Sequence, residues 1–301
     1  MAGSAGLEKV REFRLRPIDK PEELRAAEGL ERQAMGGGDE VPVSVSVLRA
    51  AQEHGGLVFG AFADIYLAGV GADLLGWDGT ELYRYALLTA VLPEYQHHQL
   101  AYRLMLFRRE SALQQGLPAI RWTFDPLRRR AARLSIRRLG ARPEKYLPHH
   151  LGRLAWTEEA GLDTDRLRVR WPIAEPAIET RLAAPPAASE DDRALWEPAR
   201  PILTTEPGEH GLRAPVAVEE PVGPSAHLEI PFDLAAVREH EPEALPRWRY
   251  AVRDGFRAAQ DLGYEVTDFL AFAVEHERRC FYLLRPVSKA PAPSPAAAEA
   301  P

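Results

Sequence analysis

The strand-like run Leu82–Val91 passes through Pro93-Glu94-Tyr95 and a short polar turn, Gln96-His97-His98-Gln99, into an amphipathic helix predicted over about His98–Gln115. A strand that feeds a helix through a tight turn belongs to α/β architecture, and it leaves backbone N–H groups and the positive end of the helix dipole at the turn. Such a turn is suited to an anion. Glycine usually stands where ligand and backbone approach most closely, because any side chain there obstructs the approach. This turn has none.

Composition removes several alternatives. The 301 residues, 46% of them hydrophobic, suffice for a sizeable core and for two units. Without an apolar run of about 18 residues or a basic-then-apolar order over Met1–Val10, no membrane segment or secretory signal is expected, and the default location is the cytoplasm. A net charge of −6 gives no general case for nucleic acid. The single cysteine, Cys280, excludes an internal disulfide framework, and its strand-like setting reads as a core thiol.

Texture divides the chain. Residues 1–175 alternate strand and helix patterns; 176–226 are rich in Pro, Ala and Glu and read as a linker; 227–286 return to regular patterning; 287–301 form a Pro/Ala tail expected to be disordered. The first segment gives strand Glu12–Ile18, a helix from about Lys20, a helix over Ser46–His54, a hairpin from Leu57 through Tyr66 to Leu75, and strand Leu82–Val91. After the turn come the helix already described, strand Ala119–Phe124, helix Leu127–Leu139 and strand Leu167–Ile173. In the last segment Leu228-Glu229-Ile230 is strand-like. Glu243–Leu262 is helical, with Leu245, Trp248, Val252, Phe256 and Ala259 on one stripe, and two strands follow at about Glu265–Val274 and Cys280–Leu284.

The order β-α-α-β-β-β-α-β-α-β, and the turn itself, resemble the GNAT superfamily of N-acyltransferases, whose turn reads Gln/Arg-x-x-Gly-x-Gly/Ala. Gln96 and Ala101 match its first and last positions, and Gln99 stands at the glycine. Gly55-Gly56-Leu57-Val58-Phe59-Gly60-Ala61-Phe62, Trp122-Thr123-Phe124-Asp125-Pro126-Leu127, Arg138-Leu139-Gly140-Ala141 and Gly161-Leu162-x-Thr164-Asp165-Arg166-Leu167 resemble a bacterial subfamily of GNAT acetyltransferases. Glu229-Ile230-Pro231, Trp248-Arg249, Gly263-Tyr264 and Phe281-Tyr282-Leu283-Leu284 are similar to its C-terminal extension. The resemblance implies a mixed central sheet flanked by helices, and the pattern of the last segment fits a smaller C-terminal α/β unit that covers one face of the first domain or pairs two subunits as a homodimer. It also implies acyl transfer from acetyl-CoA or another acyl-CoA to a small, amino-acid-like primary amine. By the same resemblance, Leu88, Thr89, Ala90 and Val91 offer backbone to the pantetheine arm, while Gln96, His97, His98, Gln99, Leu100 and Ala101 hold the pyrophosphate.

The acid–base roles map less directly. Ala131 stands where many relatives carry Asn, Ile136 where a tyrosine acid often stands, and Ala86 and Leu87 where the subfamily carries a Ser-His pair. A degenerate, non-catalytic CoA-sensing or protein-binding module is therefore the alternative. Tyr83, Tyr85 and Asp125 are the replacement candidates. Tyrosines on a strand more often pack, however, and Asp125 has the capping of the following helix as its competing role. Arg249 and Arg253 are candidates for an acceptor carboxylate, and the arginines from Arg128 to Arg138 for CoA phosphates. His97-His98 and His149-His150 lack a third ligand at metal spacing, so no metal site is expected.

Overall fold

The computed structural model describes residues 12–34, 43–152, 162–186 and 190–287. Its elements run β1 (Phe13–Pro17), α1 (Pro21–Ala34), α2 (Val45–Glu53), β2 (Leu57–Ala63), β3 (Tyr66–Trp77), β4 (Leu82–Val91), α3 (Leu100–Gln114) and β5 (Ile120–Phe124). They continue through α4 (Arg129–Ala132), β6 (Arg142–Leu147), β7 (Arg166–Trp171), α5 (Pro176–Ala183), α6 (Glu190–Trp196), β8 (Arg200–Pro201), β9 (Leu203–Pro207) and β10 (Arg213–Val218). The last are β11 (Ala226–Ile230), α7 (Leu234–His240), α8 (Ala244–Asp261), β12 (Tyr264–Val274) and β13 (Glu277–Pro286). The chain divides into two compact units. One is Met1–Thr123 with Leu151–Thr164 and Val169–Ala183, and the other is Phe124–His150 with Asp165–Arg168 and Ala184–Pro301.

In the first unit β1 to β4 pair antiparallel in chain order, and β5 then joins β4 in parallel. Period-two alternation gives this sheet two apolar faces. On one face Leu24, Ala27 and Leu30 of α1 and Leu48 and Ala51 of α2 pack with Val70, Ala72, Leu88 and Ala90. On the other, Leu100 and Leu104 of α3 pack with Phe13, Phe59, Ala61 and Val91. Two glycines shape the entry to β2: Gly55 closes α2 at φ 84°, and a Cβ on Gly56 would lie 2.1 Å from the Asp73 carbonyl.

The second unit holds a four-stranded sheet in the order β12-β13-β11-β8 and the β9–β10 pair. The α8 stripe Leu245, Trp248, Val252, Phe256 and Ala259 is buried as its spacing predicts. Cys280 is buried, and its thiol is pushed well up by burial. The fold is thus mixed α/β, a mixed sheet flanked by helices with a further C-terminal sheet unit, as the order of elements leads one to expect. The helix foreseen over Leu127–Leu139 has two characters: one α-helical turn, Arg129–Ala132, runs into a π-helical turn, Arg133–Arg138, with Leu139 N–H bonding back to the Leu134 carbonyl. Within 176–226 the structure contains α5, α6 and β8 to β10, while the tail beyond Val287 lies outside the described residues.

Candidate functional site

The first unit's distinguishing feature is the separation of β4 from β5. They pair over two positions only, Arg84 with Ile120 and Tyr85 with Arg121. Beyond Tyr85 the two strands share no register. A bulge on the other side of β4 accompanies this break, since Asp73 opposes Ala86 while Ala72 opposes Leu88, leaving Leu87 as the extra residue. The bulge reverses the phase of the strand. Arg84 bonds Gln115 next to α3, whereas Leu88 and Ala90 face α1.

Ladder geometry then decides which backbone groups are free of β3. Leu92 N–H donates to the Ala68 carbonyl at 3.1 Å, so 90 opposite 70 and 88 opposite 72 are hydrogen-bonded pairs. The N–H and C=O groups of Thr89 and Val91 therefore point away from β3, to the side from which β5 has departed. Thr89 is exposed although β4 has a strand on either side, as an open groove requires. Of the four residues foreseen for the pantetheine arm, Thr89 and Val91 turn their backbone groups away from β3, whereas those of Leu88 and Ala90 are spent on the β3 ladder.

The turn that follows is a 3₁₀ helix, Pro93–His98, and Gln99 links it to α3. Gln99 adopts φ 56°, ψ 21°, the left-handed conformation that glycine would take at this position, at a cost of about 1 kcal/mol or more for a residue with a Cβ. Its side chain is exposed and makes no capping bond. Gln96 is exposed, His98 half-buried beside Phe13, Ala101 half-buried and Leu100 buried; the side chain of His97 lies outside the described residues.

Beside the groove lies a charged centre that the sequence reading did not assemble. Asp73, Arg84 and Arg108 are each 0% exposed. Arg108 on α3 donates to Asp73 Oδ1 (2.5 Å), the Leu88 carbonyl (2.8 Å) and Thr89 Oγ1 (3.0 Å), tying β3 and α3 to the two β4 residues that follow the bulge. Arg84 reaches Gln115 and lies 3.7 Å from Asp73. Burial raises the Asp73 pKa against the opposing pull of both guanidinium groups. The available signal was Arg84 in an apolar strand together with Asp73 in the strand opposite.

The three acid–base candidates have different settings. The Arg121 guanidinium lies 4.3 Å over the Tyr83 ring, and that ring also covers Gly76, where a Cβ would lie 2.5 Å away. Tyr85 is half-buried in the paired stretch of β4. Asp125 belongs to the second unit. Its Oδ1 accepts from Leu127 N–H (2.9 Å), and both its oxygens accept from the buried Arg249 (2.7 and 2.9 Å). Arg253 likewise binds both oxygens of Asp165, and Arg137 is held by Asp192 and Asp268. Each of these three arginines is engaged in an internal ion pair. Glu81 pairs with Arg170 at 2.9 Å, and Asp78 with Arg121 at 2.7 Å. No described helix is long and apolar enough to cross a membrane.

No protein family and no curated protein sequence matches the chain. Solved acetyltransferase structures are similar to it over slightly more than half its length. The ribosomal-protein-S18-alanine N-acetyltransferase from Escherichia coli is 16% identical, covering 55% of this chain and 96% of its own, with a TM-score of 0.44. The NatC complex bound to Gag peptide and CoA is 16% identical, covering 54% and 98%, with a TM-score of 0.44. An aminoglycoside 6'-acetyltransferase type Ii is 15% identical, covering 54% and 97%, with a TM-score of 0.42.

Proposed function

We propose that this chain is an acyl-CoA-dependent N-acyltransferase of GNAT type, acting on a primary amine of a small, amino-acid-like acceptor. The observation that carries the reading is the opening between β4 and β5. An interior strand turns the backbone of Thr89 and Val91 into a groove, and the groove leads to a helix start entered through a left-handed residue. The groove suits the amides of a pantetheine arm, and the start of α3 suits a pyrophosphate. Gln99 fits this role because its backbone already has the glycine conformation and its side chain is exposed. When bound, acyl-CoA would supply the activated acyl group. The protein's part is to align the thioester with the amine and exclude water.

A second reading, a CoA-sensing or protein-binding module without turnover, is favoured by the engagement of Asp125 with Arg249 and by Ala86, Leu87, Ala131 and Ile136 at positions where catalytic groups are expected. Both readings carry a cytoplasmic location and a homodimer as proposals. Calorimetric titration of the full chain with acetyl-CoA, succinyl-CoA and CoA tests the shared premise, and no heat or thermal stabilisation at millimolar ligand removes it. Turnover with a panel of primary amines then separates the readings.

A further inference from the structure

One side chain joins the groove to the buried charge beside it. Thr89 stands four residues beyond Tyr85, the last position at which β4 pairs with β5, and it is exposed. Its neighbours Leu88 and Ala90 face α1, so alternation puts the Thr89 side chain on the α3 face, where Arg108 Nη1 donates to its Oγ1 at 3.0 Å. Arg108 is fully buried and is fixed by further bonds to Asp73 Oδ1, the Leu88 carbonyl and Met105 Sδ. One end of this contact is therefore held in the core, and the other opens on the groove.

A hydroxyl has one proton and two lone pairs. Accepting from Arg108 leaves the Thr89 proton to be given elsewhere, and Oγ1 makes no other hydrogen bond among the described residues. A carbonyl would satisfy Arg108 equally well, but only a group that also donates can pass the polarisation on. Acceptance from a cation makes an O–H the stronger donor, because linked hydrogen bonds polarise one another. Behind Arg108 the carboxylate of Asp73 faces both Arg108 and Arg84, so this 0% exposed centre sets two positive groups against one negative. In a low dielectric such an imbalance favours negative charge that develops nearby. The N–H of Thr89, turned away from β3 by the ladder, belongs to the same residue, so N–H and hydroxyl can converge on one oxygen.

We propose that Thr89 is a catalytic residue of the acyl transfer, whose hydroxyl, polarised by Arg108 as its positioning residue, donates to the thioester carbonyl oxygen; this rests on the acyltransferase reading above. The neutral amine attacks the acyl carbon and forms the N–C bond, while the C=O electron pair moves onto oxygen, where the Thr89 hydroxyl and N–H hold it. The pair then returns to carbon as the C–S bond breaks. A proton of the attacking nitrogen passes to the sulfur, which leaves as CoA thiol, and the amide remains. Thr89 keeps its own proton throughout. Because the oxygen gains full charge only as the reaction proceeds, the bond acts on kcat more than on acyl-CoA affinity.

The test uses the full chain as wild type, Thr89→Val, which keeps the β-branch and removes the hydroxyl, and Thr89→Ser, which keeps the hydroxyl. Three things are measured on each: acetyl-CoA binding by calorimetry, the thioester carbonyl stretch of bound acetyl-CoA by infrared difference spectroscopy with a carbon-13 label at that carbonyl, and turnover with a panel of primary amines as thiol release. In wild type the stretch should lie at lower frequency than in free acetyl-CoA. In Thr89→Val it should return toward the free value, with Kd within twofold of wild type and kcat lowered about 100-fold. Thr89→Ser should retain the shift and most of the rate. A residue that only supported the fold would leave the stretch where it was. Should Thr89→Val fail to fold, Thr89→Ala removes the same hydroxyl, and the wild-type stretch is decisive by itself. An unshifted stretch in wild type, an equal shift in a folded variant without the hydroxyl, undiminished kcat in that variant, or acetyl-CoA binding with no turnover by wild type overturns the role of Thr89. Failure of wild type to bind acetyl-CoA overturns the acyltransferase reading itself.

Discussion

The two units treat buried charge differently. In the second unit two buried aspartates each meet an arginine through two bonds, Arg249 with Asp125 and Arg253 with Asp165, which also accepts from Tyr146 OH and His149 N–H, whereas Arg137 is shared by Asp192 and Asp268. In the first unit one aspartate serves two guanidinium groups, and Asp73 Oδ2 and Arg84 Nη1, which face each other at 3.7 Å, and Arg84 Nε make no hydrogen bond among the described residues. A matched pair locks backbone segments together. A mismatched centre stores an unfavourable charge beside the groove, and such a cost persists in a fold more readily where function uses it. The pKa directions of Asp73 and Asp165 differ accordingly, while burial raises the Asp192 carboxyl of the second unit as it does that of Asp73. Burial raises Asp73 in spite of its two arginines, while at Asp165 the bonds from Arg253, His149 N–H and Tyr146 outweigh burial and lower it.

The sharpest way to break this comparison is Arg249→Met. It strands Asp125 in the core with only the Leu127 N–H, and a loss of about 3–5 kcal/mol is expected. Urea denaturation followed by tryptophan fluorescence measures it, and Asp125→Asn added to Arg249→Met should recover part of the loss. If Arg249→Met costs under about 1 kcal/mol, the second unit's pairs are not the locks described.

Acid titration gives the next largest contrast, and its sign differs between the two aspartates. With Asp165 lowered in the fold, the unfolded chain binds more protons near its ordinary value of about 3.9, so this stabilisation is present above that pH and is lost as pH falls through the folded value. With Asp73 raised, the folded chain binds more protons, so its contribution declines as pH rises from about 4 to the folded value. Asp165→Asn should lower stability at pH 7 and by less at pH 3. Asp73→Asn should remove a decline of stability with rising pH. Parallel pH curves for the two variants contradict the assignment.

Arg84→Met tests the mismatch directly. Two nitrogens of its guanidinium make no hydrogen bond, the third bonds Gln115 at the exposed end of α3, and Asp73 retains Arg108 when it is gone, so the change should stay within about 1 kcal/mol of wild type. Acetyl-CoA binding by the same variant shows whether the centre's positive charge reaches the groove.

The fold was legible because its signals are local. β4 has the predicted bounds Leu82–Val91. The predicted helix over Glu243–Leu262 differs from α8 by one residue at each end, and α2 lies one residue before the span expected for it. The site was legible only as a segment. The turn could be found from strand, turn and helix, but no glycine marks the left-handed backbone of Gln99. The Leu87 bulge leaves the composition of β4 unchanged and so hid the change of face that separates Arg84 from Leu88. The partners Asp73, Arg84 and Arg108 come from three elements.

Gln99 offers the smallest and most local test. In the second unit the left-handed residues Glu275 and His276 join β12 to β13, where a two-residue hairpin demands that conformation. No hairpin demands it of Gln99, which is held left-handed where the groove meets α3. Gln99→Gly removes the Cβ strain but adds chain entropy to the unfolded state, and the balance is a gain of about 0.5 kcal/mol. Its acetyl-CoA affinity should equal or exceed that of wild type, because the backbone is already in place and the approach to it becomes freer. Gln99→Val, whose β-branch resists this conformation, should weaken both stability and binding. A marked loss of binding in Gln99→Gly would mean that the side chain itself donates to the phosphate, making this turn a site that replaces glycine's openness with an amide hydrogen bond.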